Sequence, residues 1–338
     1  MQSKYMYQTI DSHTCGQPTR TVFGGIGPIP GCSMSEKMLY MKENRDDVRQ
    51  LLMFEPRGND IMSGVILTEP CDPHCDFGAI FIEVGGYLPM CGHDTIGVST
   101  ALVEMGMVRN ITEPVTQLCL DTPAGLVKVK INVEAGRAKN VTFENVPAFV
   151  FAKDVKINLP DFGSVTMDIS YGGNFYAILR ASDVGLRIIP SEAGKAVALG
   201  RVVRKAVNEQ IEVFHPEHDF IRGLTHVQFY EPVDDDCAHY RNTVVIPDGT
   251  LDRSPCGTGS SARMASLFAH GELKVGEKFI HESIIGSVFQ GRILKESKVA
   301  GNVGVVPEIT GSAHVTGIHT FFVDPDDPFK KGFQLPCF

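Results

Sequence analysis

Two cysteines stand in matching surroundings half a chain apart. LPMCGHDTIGVSTALVEMG (88–106) carries Cys91, and RSPCGTGSSARMASLFAHG (253–271) carries Cys256. In each, a proline precedes a Cys-Gly pair by one residue or none, and a small polar stretch, an apolar helix-like run and a closing glycine follow. Each cysteine therefore falls at an expected helix N-terminus, where unpaired backbone N–H groups carry partial positive charge. That setting lowers a thiol's pKa and makes a thiolate available near neutral pH. The same N–H groups can hold a carboxylate. Gly92 and Gly257 allow a tight turn and leave room for a ligand. Two sulfurs flanking one cavity suit inversion of a carbon centre. A thiolate takes an α-proton from one face and a thiol delivers one to the other. Two helix N-termini would stabilise the charge that builds on the carboxylate, so no electron-sink cofactor is needed. A single Cys-Gly would be read as an ordinary buried thiol; the duplication is what argues otherwise.

The elements that must position these residues are those of an α/β or α+β chain with many short strands. Residues 78–88, 124–136 and 242–249 read as strands bounded by Gly, Pro or Asp. Val127, Val129, Ile131 and Val133 alternate as in a half-buried antiparallel strand. Residues 191–211 have helical periodicity, with Ser191 as the expected N-cap. The runs after the two cysteines (Ile96, Val98, Leu102 and Val103; Ala262, Met264, Ala265 and Leu267) are apolar on most sides, which marks buried helices. A weaker echo relates DSHTCGQPTR (11–20) to DISYGGNFYAI (168–178). Repeats at this long period indicate two related halves rather than a solenoid.

The chain has 338 residues, enough for about two domains. With 43% hydrophobic and 21% charged residues it can form a real core. A net charge of −9 without a basic cluster argues against nucleic acid or an anionic membrane as partner. No apolar window is long enough to span a bilayer, and the start lacks the apolar region of a signal peptide. Nine cysteines then point to reduced thiols in the cytoplasm. Cys71 and Cys75 form one Cys-x3-Cys without a second pair, too few ligands for structural zinc, so no metal is expected. Cys15, Cys32, Cys119, Cys237 and Cys337 read as packing or surface thiols, and Asp234–Asp236 as a solvated loop. Residues 22–31 are glycine-rich but lack G-x-G-x-x-G spacing, and no phosphate-binding P-loop occurs.

MCGHDTIG (90–97) together with DRSPCGTGSSARMA (252–265) resembles the proline racemase family, which includes 4-hydroxyproline 2-epimerases and trans-3-hydroxyproline dehydratases. The resemblance extends through IDSHTCGQPTR, MFEPRGN, CDPHCDFGAIFIE, ISYGGNFYAI and GELKVGEKFIHESIIG. It implies two pseudo-symmetric α/β halves with mixed sheets, each wrapping a central buried helix as in diaminopimelate epimerase. The halves are expected at 1–161 with about 318–338, and at 162–317, with the active site between them. By the same resemblance Cys91 and Cys256 are the acid/base pair, Gly92, His93, Gly257 and Thr258 bind the carboxylate, and Asp252 meets the ring amine. The dehydratases look similar but replace the second cysteine with threonine, so Cys256 argues against that branch. Proline racemases look apolar where this chain has Ser63 and His226, and hydroxyproline epimerases are similar to it in having the histidine. A buried ring hydroxyl needs polar partners, and Ser63 and His226 would supply them. Asp94 stands where Gly or Asn is more usual and Ser260 where Thr is common; a carboxylate at 94 would disturb an anion site unless it points away. Each of these residues also has a plain structural reading: a cap for His93, a core histidine for His226, turn chemistry for Ser63 and Asp252.

The expected function is thus a cofactor-independent two-base epimerase converting trans-4-hydroxy-L-proline to cis-4-hydroxy-D-proline. The alternatives are a proline racemase, a trans-3-hydroxyproline dehydratase and a non-catalytic amino-acid-binding protein. The expected partner is a small-molecule substrate, and the chain is expected to be a monomer or homodimer.

Overall fold

A computed structural model describes residues 5–235, 238–247 and 249–335. Cys237, Cys337 and Asp236, at the end of the acidic run, lie outside them. The chain forms two compact units, Met1–Phe143 with Ser312–Phe338, and Glu144–Gly311. The break expected after residue 161 falls instead within a hairpin of the second unit, where Ala148–Leu159 and Gly163–Tyr171 pair antiparallel.

In the first unit a mixed sheet runs from Ala313–Val323 through Tyr5–Thr14, Gln17–Gly24, Ser63–Thr68 and Phe77–Glu83 to Val115–Thr122 and Gly125–Glu134. Helices α1 (Met34–Asn44) and α2 (Asp46–Met53) precede the helix the sheet wraps, α3 (Gly92–Glu104). Every residue of α3 from Gly92 to Val103 is buried, as its apolar composition requires. Strands from both ends of the sheet pack on it. A Cβ on Gly97 would lie 2.7–2.9 Å from side-chain atoms of Thr19, so only glycine lets α3 lie this close to strand Gln17–Gly24.

In the second unit the strand pairing returns to its start. Ala148–Leu159, Gly163–Tyr171, Phe175–Arg180, His226–Asp235, Ala238–Val245, Lys278–Ser283, Val288–Val299 and Asn302–Gly311 pair in succession, and the last pairs back onto the first. This closed ring encloses α5 (Gly257–Ala269), buried from Gly257 to Leu267. α4 (Ala193–Gln210) packs on the ring from outside. The second central helix is also approached through a glycine. A Cβ on Gly172 would meet the Thr258 carbonyl oxygen at 2.3 Å and the Ala262 nitrogen at 2.5 Å.

Three local expectations are corrected. Residues 78–88 contain two strands, Phe77–Glu83 and Gly86–Leu88, because the chain reverses at Val84–Gly85 and pairs Glu83 with Gly86. Ser191 does not cap α4. Pro190 starts a 3-10 turn, Pro190–Glu192, and α4 begins after it. Cys75 and Cys119 are not reduced thiols but form a disulfide. Parallel pairing of Phe77 with Leu120 brings them side by side, and Asp76 locks the junction, its N–H donating to the Cys119 carbonyl at 2.9 Å and its carboxylate accepting from the Cys119 N–H at 2.8 Å. Among the described residues no helix is long and apolar enough to cross a membrane.

Candidate functional site

Each central helix begins at the residue after a buried thiol. Cys91 is the N-cap of α3 and Cys256 the N-cap of α5; both side chains are 5% exposed, and both lie outside the disulfide. At the start of α5 the Cys256 sulfur also takes the Gly259 N–H of the first turn. Gly92, His93, Gly257 and Thr258 stand in the first turns of the two helices.

In the first unit Cys91 belongs to a chain of hydrogen bonds. Its Sγ lies 3.2 Å from His93 Nδ1, and His93 Nε2 lies 3.2 Å from Asp94 Oδ1. Asp94 is fully buried. Thr19 Oγ1 donates to its Oδ1 at 2.7 Å and Ser63 Oγ to its Oδ2 at 2.5 Å. Burial alone would raise the Asp94 carboxyl; the charge of His93 and the hydrogen bonds from His93, Ser63 and Thr19 outweigh it and hold the group below its ordinary value. The carboxylate at position 94 is thus turned onto donors of its own unit. The Ser63 proton is committed to Asp94, which leaves the hydroxyl oxygen able only to accept.

In the second unit Cys256 has neutral partners. The Tyr176 hydroxyl lies 3.3 Å from its Sγ and 2.5 Å from Thr258 Oγ1, which in turn is 3.9 Å from the sulfur. The loop before α5 is braced: Ser254 N–H donates to Asp252 Oδ1, Cys256 N–H to Ser254 Oγ, and Asn242 Nδ2 to the Pro255 carbonyl. This holds Cys256 at φ +64°, ψ 104°, where a side chain strains the backbone. Burial, then the nearby charge of Asp252, push the Cys256 thiol well up; hydrogen bonds from Tyr176, Gly259 and Thr258 oppose this.

His226 is 3% exposed and packs against Tyr176, ring centroids 4.8 Å apart and planes tilted by 36°, because the two are register partners on adjacent parallel strands. Its Nδ1 is 2.7 Å from Thr225 Oγ1. Burial, helped by the charge of Arg204, lowers its pKa to about 3, so it is neutral at physiological pH. Asp252 is buried and closes an Asx turn, as its plain reading anticipates. Ser260 bonds the Pro255 carbonyl and His281 Nδ1.

Sequence reasoning missed Thr19, Tyr176 and Gln228. Gln228 is fully buried with neither amide atom hydrogen-bonded among the described residues. A Cβ on Gly259 would lie 3.0 Å from both Gln228 Nε2 and Cys256 Sγ, so the amide borders the thiol.

Among the described residues two groups have metal-ligand chemistry: Cys91, His93 and Asp94, and Asp154, Asp168 and His270. In the first, the Asp94 oxygens are taken by Thr19, Ser63 and His93, so it reads as a hydrogen-bond relay. In the second, Asp168 already accepts from the Asp154 N–H, Ser266 and His270, a structural network at the end of α5. A cavity of about 690 Å³ lined by Tyr240, Leu267, Leu273 and Phe279 holds no thiol. Leu267 stands about 15 Å along α5 from Gly257, so this cavity is not the site of cysteine chemistry.

The family model described as proline racemase matches residues 9–334. A proline racemase of Clostridioides difficile is 50% identical over 328 residues, covering 97% of this chain and 98% of that protein. A 4-hydroxyproline 2-epimerase of Streptosporangium roseum is 50% identical over 335 residues, covering 99% and 100%. The crystal structure of a hydroxyproline epimerase from Agrobacterium vitis, with trans-4-hydroxy-L-proline bound, superposes with a TM-score of 0.95 at 36% identity, covering 99% of this chain and 96% of that one.

Proposed function

This chain belongs to the proline racemase family, and on that premise we propose that it inverts the α-carbon of 4-hydroxyproline by a two-base mechanism. It is an isomerase of the amino-acid racemase and epimerase type. The observation that carries the mechanism is the duplication itself: two equally buried thiols, each at the first turn of a buried helix. In the forward reaction one sulfur, as thiolate, takes the α-proton of trans-4-hydroxy-L-proline. The S–H bond forms, the C–H bond breaks, and the electron pair is held as an enolate-like carboxylate by helix N–H groups of Gly92, His93, Gly257 and Thr258. The other sulfur gives its proton to the opposite face, yielding cis-4-hydroxy-D-proline. Asp252 meets the ring amine. Ser63, as acceptor, and His226, through its second ring nitrogen, meet the ring hydroxyl. The relatives from Streptosporangium roseum and Agrobacterium vitis support this choice of substrate.

A second reading, racemisation of proline, is favoured by the commitment of the Ser63 proton to Asp94 and by the Clostridioides difficile relative. Chiral chromatography of both reactions separates the two. A higher kcat/KM for 4-hydroxyproline is expected; a clear preference for proline replaces the first reading with the second. In D2O each single Cys→Ser variant should lose inversion while one of the two still exchanges the α-hydrogen of a single enantiomer. Full turnover in Cys256→Ser would point to one-sided chemistry such as dehydration, and no α-deuterium with any substrate would leave only binding.

A further inference from the structure

The two thiols are equally buried but unequally surrounded. Cys91 touches a histidine backed by a buried carboxylate, whereas the hydrogen-bond partners of the Cys256 sulfur are hydroxyls and the Gly259 backbone. We propose that Asp94 is a positioning residue that acts through His93 to set the resting charge of the pair: Cys91 rests as a thiolate against a His93 imidazolium, and Cys256 rests as a thiol. The inference rests on the reading of the two cysteines as acid and base and assigns which is which in the free enzyme.

The geometry supplies the steps. Asp94 has no water to solvate its charge, so Thr19, Ser63 and His93 must do so. As an anion it accepts from His93 Nε2, which fixes that nitrogen as N–H and leaves Nδ1 facing the Cys91 sulfur. Transfer of the thiol proton breaks S–H and forms Nδ1–H, giving an imidazolium between two anions. This is the arrangement by which a carboxylate-backed histidine activates a nucleophile. The N-terminus of α3 adds its partial positive charge at the same sulfur.

The other groups around the relay do not oppose it. From strand Ser63–Thr68 the relay meets Ser63, whose register partner Glu83 is buried on the same face. From Gln17–Gly24 it meets Thr19; Arg20 alternates to the opposite face and is paired with Asp11. From Tyr5–Thr14 comes Thr14, donating to the His93 carbonyl, while His13 alternates away and packs on His314 of strand Ala313–Val323. The buried positions of Gly125–Glu134 are apolar, Val127 and Val129 among them. At Cys256 the charge of Asp252 disfavours a second thiolate.

The test needs no turnover. The full-length reduced protein is treated with limiting iodoacetamide across about pH 6 to 9, and alkylation of the Cys91 and Cys256 peptides is counted by mass spectrometry. Equal exposure makes the comparison one of charge rather than access. Cys91 should react about ten-fold faster near neutral pH, with the lower midpoint. Asp94→Asn should raise the Cys91 midpoint by about one unit, leave that of Cys256 in place, and be partly rescued by Asp94→Glu. Equal rates, or a faster Cys256, in the unaltered protein overturn the proposal whatever the variants do, as does a Cys91 midpoint unmoved in folded Asp94→Asn. A failure of the epimerase reading would show separately, as missing α-deuterium exchange with an intact alkylation pattern.

Discussion

The hydroxyl of Tyr176 lies 3.3 Å from the sulfur of Cys256 and 2.5 Å from Thr258 Oγ1, joining the second strand of a hairpin to the first turn of α5. Tyr176→Phe removes one donor from a sulfur that must carry negative charge during turnover. A hydrogen bond to a charged group contributes about 1.5–3 kcal/mol, so kcat should fall about ten- to hundred-fold. KM should change little, since the bond matters only when the charge is present. Steady-state kinetics with the folded variant decide; an unchanged kcat would reduce Tyr176 to packing.

Buried neutral histidines tie stability to pH. His226 and His281 are both lowered from 6.5 to about 3, chiefly by burial, with Arg204 and Arg263 respectively adding to the effect. Each binds its proton less readily folded than unfolded, so the unfolded chain takes up more protons below pH 6.5. Their contribution is complete above that value and is lost as pH falls toward 3, at about 1.4 kcal/mol per pH unit for each histidine. Urea midpoints should therefore drop between pH 6 and pH 4, and His226→Asn should flatten the slope by about one proton.

The backbone at Cys256 gives a third expectation. Its φ of +64° strains any side chain bearing a Cβ by about 1–3 kcal/mol. Cys256→Ala keeps that strain, whereas Cys256→Gly relieves it at a flexibility cost of about 0.5–1 kcal/mol. Both variants should be inactive, yet the glycine variant should melt at or above the alanine one. The reverse order in calorimetry would show the loop is unstrained.

Gly97 holds α3 against Thr19. Gly97→Ala should destabilise by about 1–3 kcal/mol through overpacking. Adding Thr19→Ala should recover part of this, a non-additivity of about 1 kcal/mol in a double-mutant cycle. Strict additivity would mean the helix shifts as a whole.

The alternation of Val127 to Val133 located strand Gly125–Glu134 to within a residue or two, because one buried face imposes the period directly. The two Cys-Gly runs likewise located α3 and α5, since glycine, a polar turn and an apolar body are all local signals. What stayed hidden depends on distant chain. Asp94 looked like a disturbance near an anion site because nothing local says that Thr19 and Ser63 will turn toward it. Cys75 and Cys119, 44 residues apart, carry no spacing signal of their own. Tyr176 was within reach. Set side by side, DSHTCGQPTR and DISYGGNFYAI put Thr19 and Tyr176 each eight residues after the leading aspartate, Asp11 or Asp168. Each of them sends a hydroxyl to the first turn of its own unit's helix, Thr19 to Asp94 and Tyr176 to Thr258. The faint echo thus carries the partner residues of the strong one.

A helix inside a strand ring that closes on itself has no sideways exit. Amide protons along the middle of α5 can meet solvent only when some strand pair parts, so they should rank among the slowest to exchange in the second unit. The sulfur at its leading end is anchored to the same cage: whatever drift Cys256 makes on the timescale of turnover must come from the braced loop before it, and not from the rod behind.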